Sequence, residues 1–198
     1  EWDISKGFEE DVNFHKSWVN ECDRVLKDDG SIWISGTYHC IHQITYILLS
    51  MGYYIINEVT WYKPNAAPNL GCRCLTASHE TLIWAKKSKN SKHTFNYEIA
   101  KELNGGKQMR SLWEISTTPK SEKCFGKHPT QKPLKLLERI VQIATNKGDV
   151  ILDPFCGTST TGVAANLYSR KYIGIDISKE YLDISKNRIY KVNTNEKQ

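Results

Sequence analysis

The residues best suited to chemistry lie in one run, Val150-Ile151-Leu152-Asp153-Pro154-Phe155-Cys156-Gly157-Thr158-Ser159-Thr160-Thr161-Gly162. An apolar strand ends in an acid, turns through small residues and enters a helix. That geometry lets backbone N–H groups and a helix N-terminus approach a ligand at the carboxyl edge of a parallel sheet. Nineteen residues after Gly157, the strand Tyr172-Ile173-Gly174-Ile175 ends in Asp176. An acid there can accept hydrogen bonds from both hydroxyls of a ribose. Together the two describe a nucleoside-cofactor site; a plain βαβ unit capped by its Thr and Asp residues is the alternative. A second run, Gly126-Lys127-His128-Pro129-Thr130-Gln131-Lys132-Pro133, ends 20 residues before Asp153.

These residues need a sheet to hold them, and the hydrophobic pattern supplies one. Phe14, Trp18, Cys22, Val25 and Leu26 recur at helical spacing and stop at Asp28-Asp29-Gly30. Ser31 to Ser35 reads as a buried strand, Ile41 to Leu48 as a helix ending near Gly52, and Tyr53 to Tyr62 as a strand closed by Pro64. Further on, helix Leu134–Asn146, strand Val150–Asp153, helix Thr160–Tyr168, strand Tyr172–Asp176 and a helix from Lys179 to about Tyr190 follow. Beyond Val192, the polar tail Asn193 to Gln198 is expected to fray. This alternation predicts an α/β fold with a parallel sheet. Between Pro64 and Gly126 the rhythm breaks on Pro and Gly, although Glu80 to Ala85 could form one more strand. Trp61 and Trp84 sit in strand-like runs and are expected in the core rather than on a base.

Composition narrows the function. With 198 residues, 39% hydrophobic and 25% charged, the chain is long enough for a real core and shows no sign of disorder. The longest apolar stretch, Ile44 to Ile56, is broken by Thr45, Ser50 and Gly52, too short for the roughly 18 residues that span a bilayer. Glu1-Trp2-Asp3 lacks the pattern of a signal peptide, so a cytoplasmic location without membrane contact is expected. Residues 63–126 hold eleven basic and five acidic side chains, a local excess of +6 in a chain of net +5. A phosphate-backbone contact surface requires such a segment; a solvated lysine-rich loop is the alternative. The six cysteines are scattered, and Cys72-Arg73-Cys74 with His79 is too sparse to imply a metal.

The order of these segments resembles the β group of amino-methylating DNA methyltransferases, which use S-adenosylmethionine. His128-Pro129-Thr130-Gln131-Lys132-Pro133 resembles the family's motif ten and Asp153-Pro154-Phe155-Cys156-Gly157-Thr158 its motif one. Trp61-Tyr62-Lys63-Pro64-Asn65 resembles motif eight, and Arg24-Val25-Leu26-Lys27 before Gly30 resembles motif five. The resemblance implies a Rossmann-like S-adenosylmethionine-dependent methyltransferase fold, permuted. Residues 1–62 would form the catalytic half, 63–126 an inserted target-recognition region and 127–198 the cofactor half. Gly36-Thr37-Tyr38-His39, Ser78 to Ala85, Thr94 to Glu98 and Gln108 to Ser111 are similar to adenine-N6 enzymes, among them those acting on GANTC and GATC. Adenine N6 in a short DNA sequence is therefore the implied target, with cytosine N4 the rival.

The same resemblance implies residue roles. Asp153 would orient the methionine amino group or the turn backbone, with Phe155 nearby, and Gly157 would permit close approach. Thr158, Ser159 and Thr160 would cap the helix and contact the cofactor carboxylate, Asp176 would hold the ribose, and Ile177 would pack on the adenine. Thr130 and Lys132 would close over the methionine end, with His128 shaping the turn. Lys63, Asn65, Asn69 and Arg73 would face double-stranded DNA, with single strands also admissible, and His79-Glu80 would be structural. Relatives are often dimers, so a homodimer is among the implied assemblies. The catalytic Asp-Pro-Pro-Tyr or Ser-Pro-Pro-Tyr is not in the chain, whose one Asp-Pro is Asp153-Pro154. The motif and its strand are expected upstream of Glu1 or on a separate N-terminal segment. A truncated cofactor or DNA binder without turnover is the rival from another class.

Overall fold

The computed structural model describes residues 5–126 and 128–195. Residues 1–4, Lys127 and the end of the tail, 196–198, lie outside them. The chain divides into two units, one made of 1–62, 67–94 and 110–114, the other of 63–66, 95–109 and 115–198. The segment 63–126 is shared between them and forms no unit of its own.

In the first unit, helix α1 (Phe8–Val25) opens on Glu9, Glu10 and Asp11, acids that complement the helix dipole. The buried stripe differs from the expected one: Phe14 and Val25 are exposed, and Val12, Trp18, Val19 and Leu26 face the core. Strand β1 (Ser31–Gly36) leads to α2 (Ile41–Ser50). That helix stops where Gly52 adopts φ 85° and the Tyr53 amide donates to the Leu48 carbonyl at 3.0 Å. Strands β2 (Tyr54–Tyr62), β3 (His79–Lys86) and the short β4 (Leu112–Glu114) complete a sheet ordered β1-β3-β2-β4.

The sheet is mixed, which corrects the all-parallel expectation. β3 lies between β1 and β2 and runs antiparallel to both, while β2 and β4 are parallel. A parallel neighbour needs a crossover, usually a helix. No helix follows β2 before β3, so the chain returns antiparallel. On one sheet face Ile34, Ile83 and Ala85 pack with Val19, Ile41, Ile44, Ile47, Leu48 and Tyr53. On the other Trp33 stacks on Trp84 with ring centroids 4.9 Å apart and on Trp113 at 5.9 Å. Trp61 is buried as well, as its strand position predicts.

The second unit contains α3 (Tyr97–Leu103), a 3-10 turn (Lys120–Lys123), α4 (Leu134–Ala144), β5 (Val150–Asp153), α5 (Thr160–Leu167), β6 (Lys171–Gly174) and α6 (Lys179–Asn195). β5 and β6 pair in parallel, with Val150 opposite Lys171 and Asp153 opposite Gly174. Alternate positions Val150, Leu152, Ile173 and Ile175 stand exposed, while α5 packs between α4 and α6. The Asn96 amide donates to the carbonyls of Gln142 and Thr145, at 2.8 and 2.9 Å, joining the start of α3 to the end of α4. Among the described residues no helix is long and apolar enough to cross a membrane.

Candidate functional site

The cofactor-type residues all fall in the second unit, at the carboxyl ends of β5 and β6. Asp153 closes β5 and accepts the Thr161 hydroxyl at 2.7 Å and the Phe155 amide at 3.2 Å. Burial pushes its carboxyl above the usual range; the two hydrogen bonds oppose that shift and nearby Asp176 adds to it. Asp176 lies just past β6 and accepts two backbone amides, Gly157 at 2.8 Å and Ser178 at 2.8 Å. A carboxylate has about four acceptor sites, so capacity remains for a further donor.

Gly157 adopts φ 50°, and a Cβ there would meet His128 Nε2 at 3.2 Å. The His128 ring lies against this glycine and edge-on to Tyr181, with centroids 4.4 Å apart. Its Nδ1 accepts the Thr130 amide at 3.2 Å, which assigns the proton of the neutral ring to Nε2. Burial holds His128 below the ordinary histidine range, with Asp176 opposing and Lys132 adding to the shift. Thus the second motif lies directly on the turn of the first.

The expected side-chain cap of α5 is not made at Ser159. Ser159 occupies the N-cap position of α5 in the left-handed region (φ 55°, ψ 50°), and its side chain makes no capping bond. Its hydroxyl instead takes a hydrogen bond from Tyr172 at 3.1 Å. Thr158, 3% exposed, donates to the Gln131 side-chain carbonyl at 3.0 Å. Arg188, 7% exposed on α6, donates to the Thr158 carbonyl at 2.6 Å and to the hydroxyls of Thr158 and Thr160 at 3.0 and 3.1 Å. These side chains brace the turn from within, and Cys156 to Thr160 are buried.

Arg188, Gln131, Ser185 and Tyr172 were therefore missed as site residues. Ser185 donates to the Gly157 carbonyl at 2.9 Å, and Gln131 donates to the Glu122 carbonyl at 3.1 Å. The available signal was a cation on the buried face of α6, where Tyr181, Ile184, Ser185 and Arg188 recur at helical spacing.

The four DNA candidates part company. Asn65, in the second unit, donates to the Thr117 hydroxyl at 3.1 Å and accepts the Thr117 amide at 2.8 Å, so it is a tether. Half-buried Lys63 lies two residues before it. Asn69, in the first unit, accepts the Gly71 amide at 2.8 Å and shapes a turn, from which Arg73 stands exposed. Nor is the basic excess one patch. Lys86 to Lys92 follow the far end of β3, where Lys87 meets Asp23 and Asp28 at 3.8 and 3.7 Å. Among the described residues no cluster of His, Cys, Asp and Glu suits a metal ion.

A parallel βαβ pair with a glycine turn and an acid past its second strand is the arrangement that receives nucleoside cofactors in α/β sheets. Residues 1–187 match the DNA methylase family N6_N4_Mtase, and the chain belongs to it. Type II methyltransferase M2.LlaDCHI of Lactococcus lactis subsp. cremoris is 50% identical over 192 residues, 96% of this chain and 71% of its own. Type II methyltransferase M2.DpnII of Streptococcus pneumoniae is 50% identical over 190 residues, again 96% of this chain and 71% of its own. The crystal structure of the M1.HpyAVI–SAM complex superposes with a TM-score of 0.76 at 33% identity, covering 89% of this chain and 83% of that one. The chain is a member of the site-specific DNA methyltransferases.

Proposed function

We propose that the protein binds S-adenosylmethionine at the β5–β6 edge and serves methyl transfer to adenine N6 in a short DNA sequence. The observation that carries the cofactor reading is the turn itself: Gly157 at φ 50° is pinned between His128 and the Asp176 carboxylate. The fit extends to the apolar residues beside it. Ile177 is 97% exposed and Phe155 56% exposed, bare hydrophobic surface next to the acid that would take a ribose. Asp176 would hold the ribose hydroxyls, Ile177 and Phe155 would pack on the adenine, and the backbone from Gly157 to Thr160 would meet the carboxylate. Thr130 and Lys132, beside His128, would close over the methionine end. The bound group supplies an electrophilic methyl on a sulfonium.

The strings at Gly36–His39, Ser78–Ala85, Thr94–Glu98 and Gln108–Ser111 support adenine over cytosine through their likeness to adenine-N6 enzymes. The family covers both amines, so cytosine N4 is the second reading. Of the segment 63–126, we assign residues 63–78 to DNA, with Lys63 and Arg73 neutralising phosphates. The weakly nucleophilic amine needs acceptors for its hydrogens and an aromatic platform. The Asp-Pro-Pro-Tyr motif that provides both is not among these residues. The test incubates duplex DNA with a methyl-labelled donor and either residues 1–198 or the product of the natural gene, then resolves the nucleosides. Label in N6-methyldeoxyadenosine from the gene product is expected. Label in N4-methyldeoxycytidine would overturn the adenine reading, and donor binding without any label would leave a non-catalytic binder.

A further inference from the structure

Two of the most exposed apolar side chains of the first unit flank Arg73 in the loop between β2 and β3: Leu70 is 91% exposed and Leu75 94%. The tip that carries them is a formed turn. The Asn69 carboxamide accepts the Gly71 amide at 2.8 Å, the Cys72 amide donates to the Asn69 carbonyl at 3.2 Å, and Cys72 adopts φ 49°. A non-glycine residue in that region costs energy that a surface turn has no packing reason to spend. Residues 63–79 contain Lys63 and Arg73 and no Asp or Glu.

Strand register places the tip. Gly36 lies opposite Thr81 and Tyr62 opposite His79, so the loop from β2 to β3 stands at the edge where β1 and β2 end. Ligands of open α/β sheets lie at that carboxyl edge. We propose that Leu70 and Leu75 form an apolar wedge that enters stacked DNA beside the target base, with Arg73 between them on the backbone. Enzymes that modify a base must take it out of the stack, and inserted apolar side chains offset the unstacking. An acid-free loop favours a nucleic acid over an unspecified protein as the occupant. The inference rests on the DNA-acting reading and adds the element that opens the duplex.

Both leucines are outside the core, so Leu70→Ala/Leu75→Ala should unfold at the wild-type midpoint. The probes are labelled duplexes carrying GATC or GANTC with 2-aminopurine at the adenine, titrated with the full chain. Wild type is expected to bind and brighten the probe by unstacking it. The double variant should bind about a hundredfold more weakly, about tenfold for each leucine removed, lose the brightening and keep the salt dependence. Arg73→Gln should keep the brightening and lower the slope of log affinity against log salt by about one. A double variant equal to wild type in affinity and brightening would overturn the wedge. So would wild-type binding without brightening, or leucine variants altered in self-association alone, which would indicate a protein contact. Failure of wild type to bind either duplex would overturn the wedge on these sequences, while label transfer to any DNA would keep the DNA reading.

Discussion

The turn from Asp153 to Gly162 and the loop from Pro64 to Ser78 handle polar side chains in opposite ways. In the turn, Thr158, Ser159 and Thr160 are buried and tied to Gln131, Tyr172 and Arg188. In the loop, Arg73, Leu70 and Leu75 project into solvent from a small Asn69-centred turn. A cofactor is the same molecule in every cycle, so a rigid backbone cradle suits it, and the side chains behind it act as braces. On the proposed roles, a duplex has to be engaged and released, so the loop side chains that would meet it stay outside the core. Mutations should therefore separate the regions: changes in the turn should move stability and donor binding together, and changes in the loop should move DNA binding alone.

The largest effect should come from Arg188→Met. It strands the Thr158 carbonyl and the Thr160 hydroxyl in the interior, while the Thr158 hydroxyl keeps Gln131, at a cost on the order of 3 kcal/mol. Urea unfolding of the variant measures it, and an unchanged midpoint would break the brace account. Gly162→Ala comes next. Its Cβ would stand 2.5 Å from the Tyr172 ring, whose hydroxyl is held by Ser159, so overpacking should cost about 1–3 kcal/mol. Arg73→Gln should leave the unfolding midpoint within about 0.5 kcal/mol, as surface changes do.

The smallest effect is a pH slope. His128 in the second unit, and His15 and His93 in the first, are all held below the ordinary histidine value of 6.5, chiefly by burial. Each therefore binds fewer protons folded than unfolded, and stability is lost as pH falls below that value. Asp153 and Glu122, pushed upward by burial, work in the other direction. The unfolding midpoint should fall between about pH 7 and about pH 5.5, and His128→Asn should flatten part of that fall.

Much of this was legible in the sequence because the determinants were local. The elements from Leu134 to Tyr190 stood out through apolar runs and their period, and α4 and β5 match them within about two residues. β3 was visible as a strand, but its central, antiparallel place depends on pairing with Ser31–Gly36 far along the chain. The seven-residue α3, with Ala100 its buried residue, is too short to show a period. Asp153, Gly157 and Asp176 could be placed together at one turn because such a turn demands those residue types in order. Arg188 and Gln131 escaped because their partners lie 27 to 30 residues away in sequence, and folding alone brings them together.

The most direct test of the cradle is calorimetric titration of S-adenosylmethionine into wild type and Asp176→Asn. One saturable site per chain is expected in wild type. The variant, which trades an ionised acceptor for a neutral amide, should bind about tenfold more weakly or worse, and Arg73→Gln should bind like wild type. Equal affinity in wild type and Asp176→Asn, or no binding in wild type, would contradict the assignment of the cofactor to this edge.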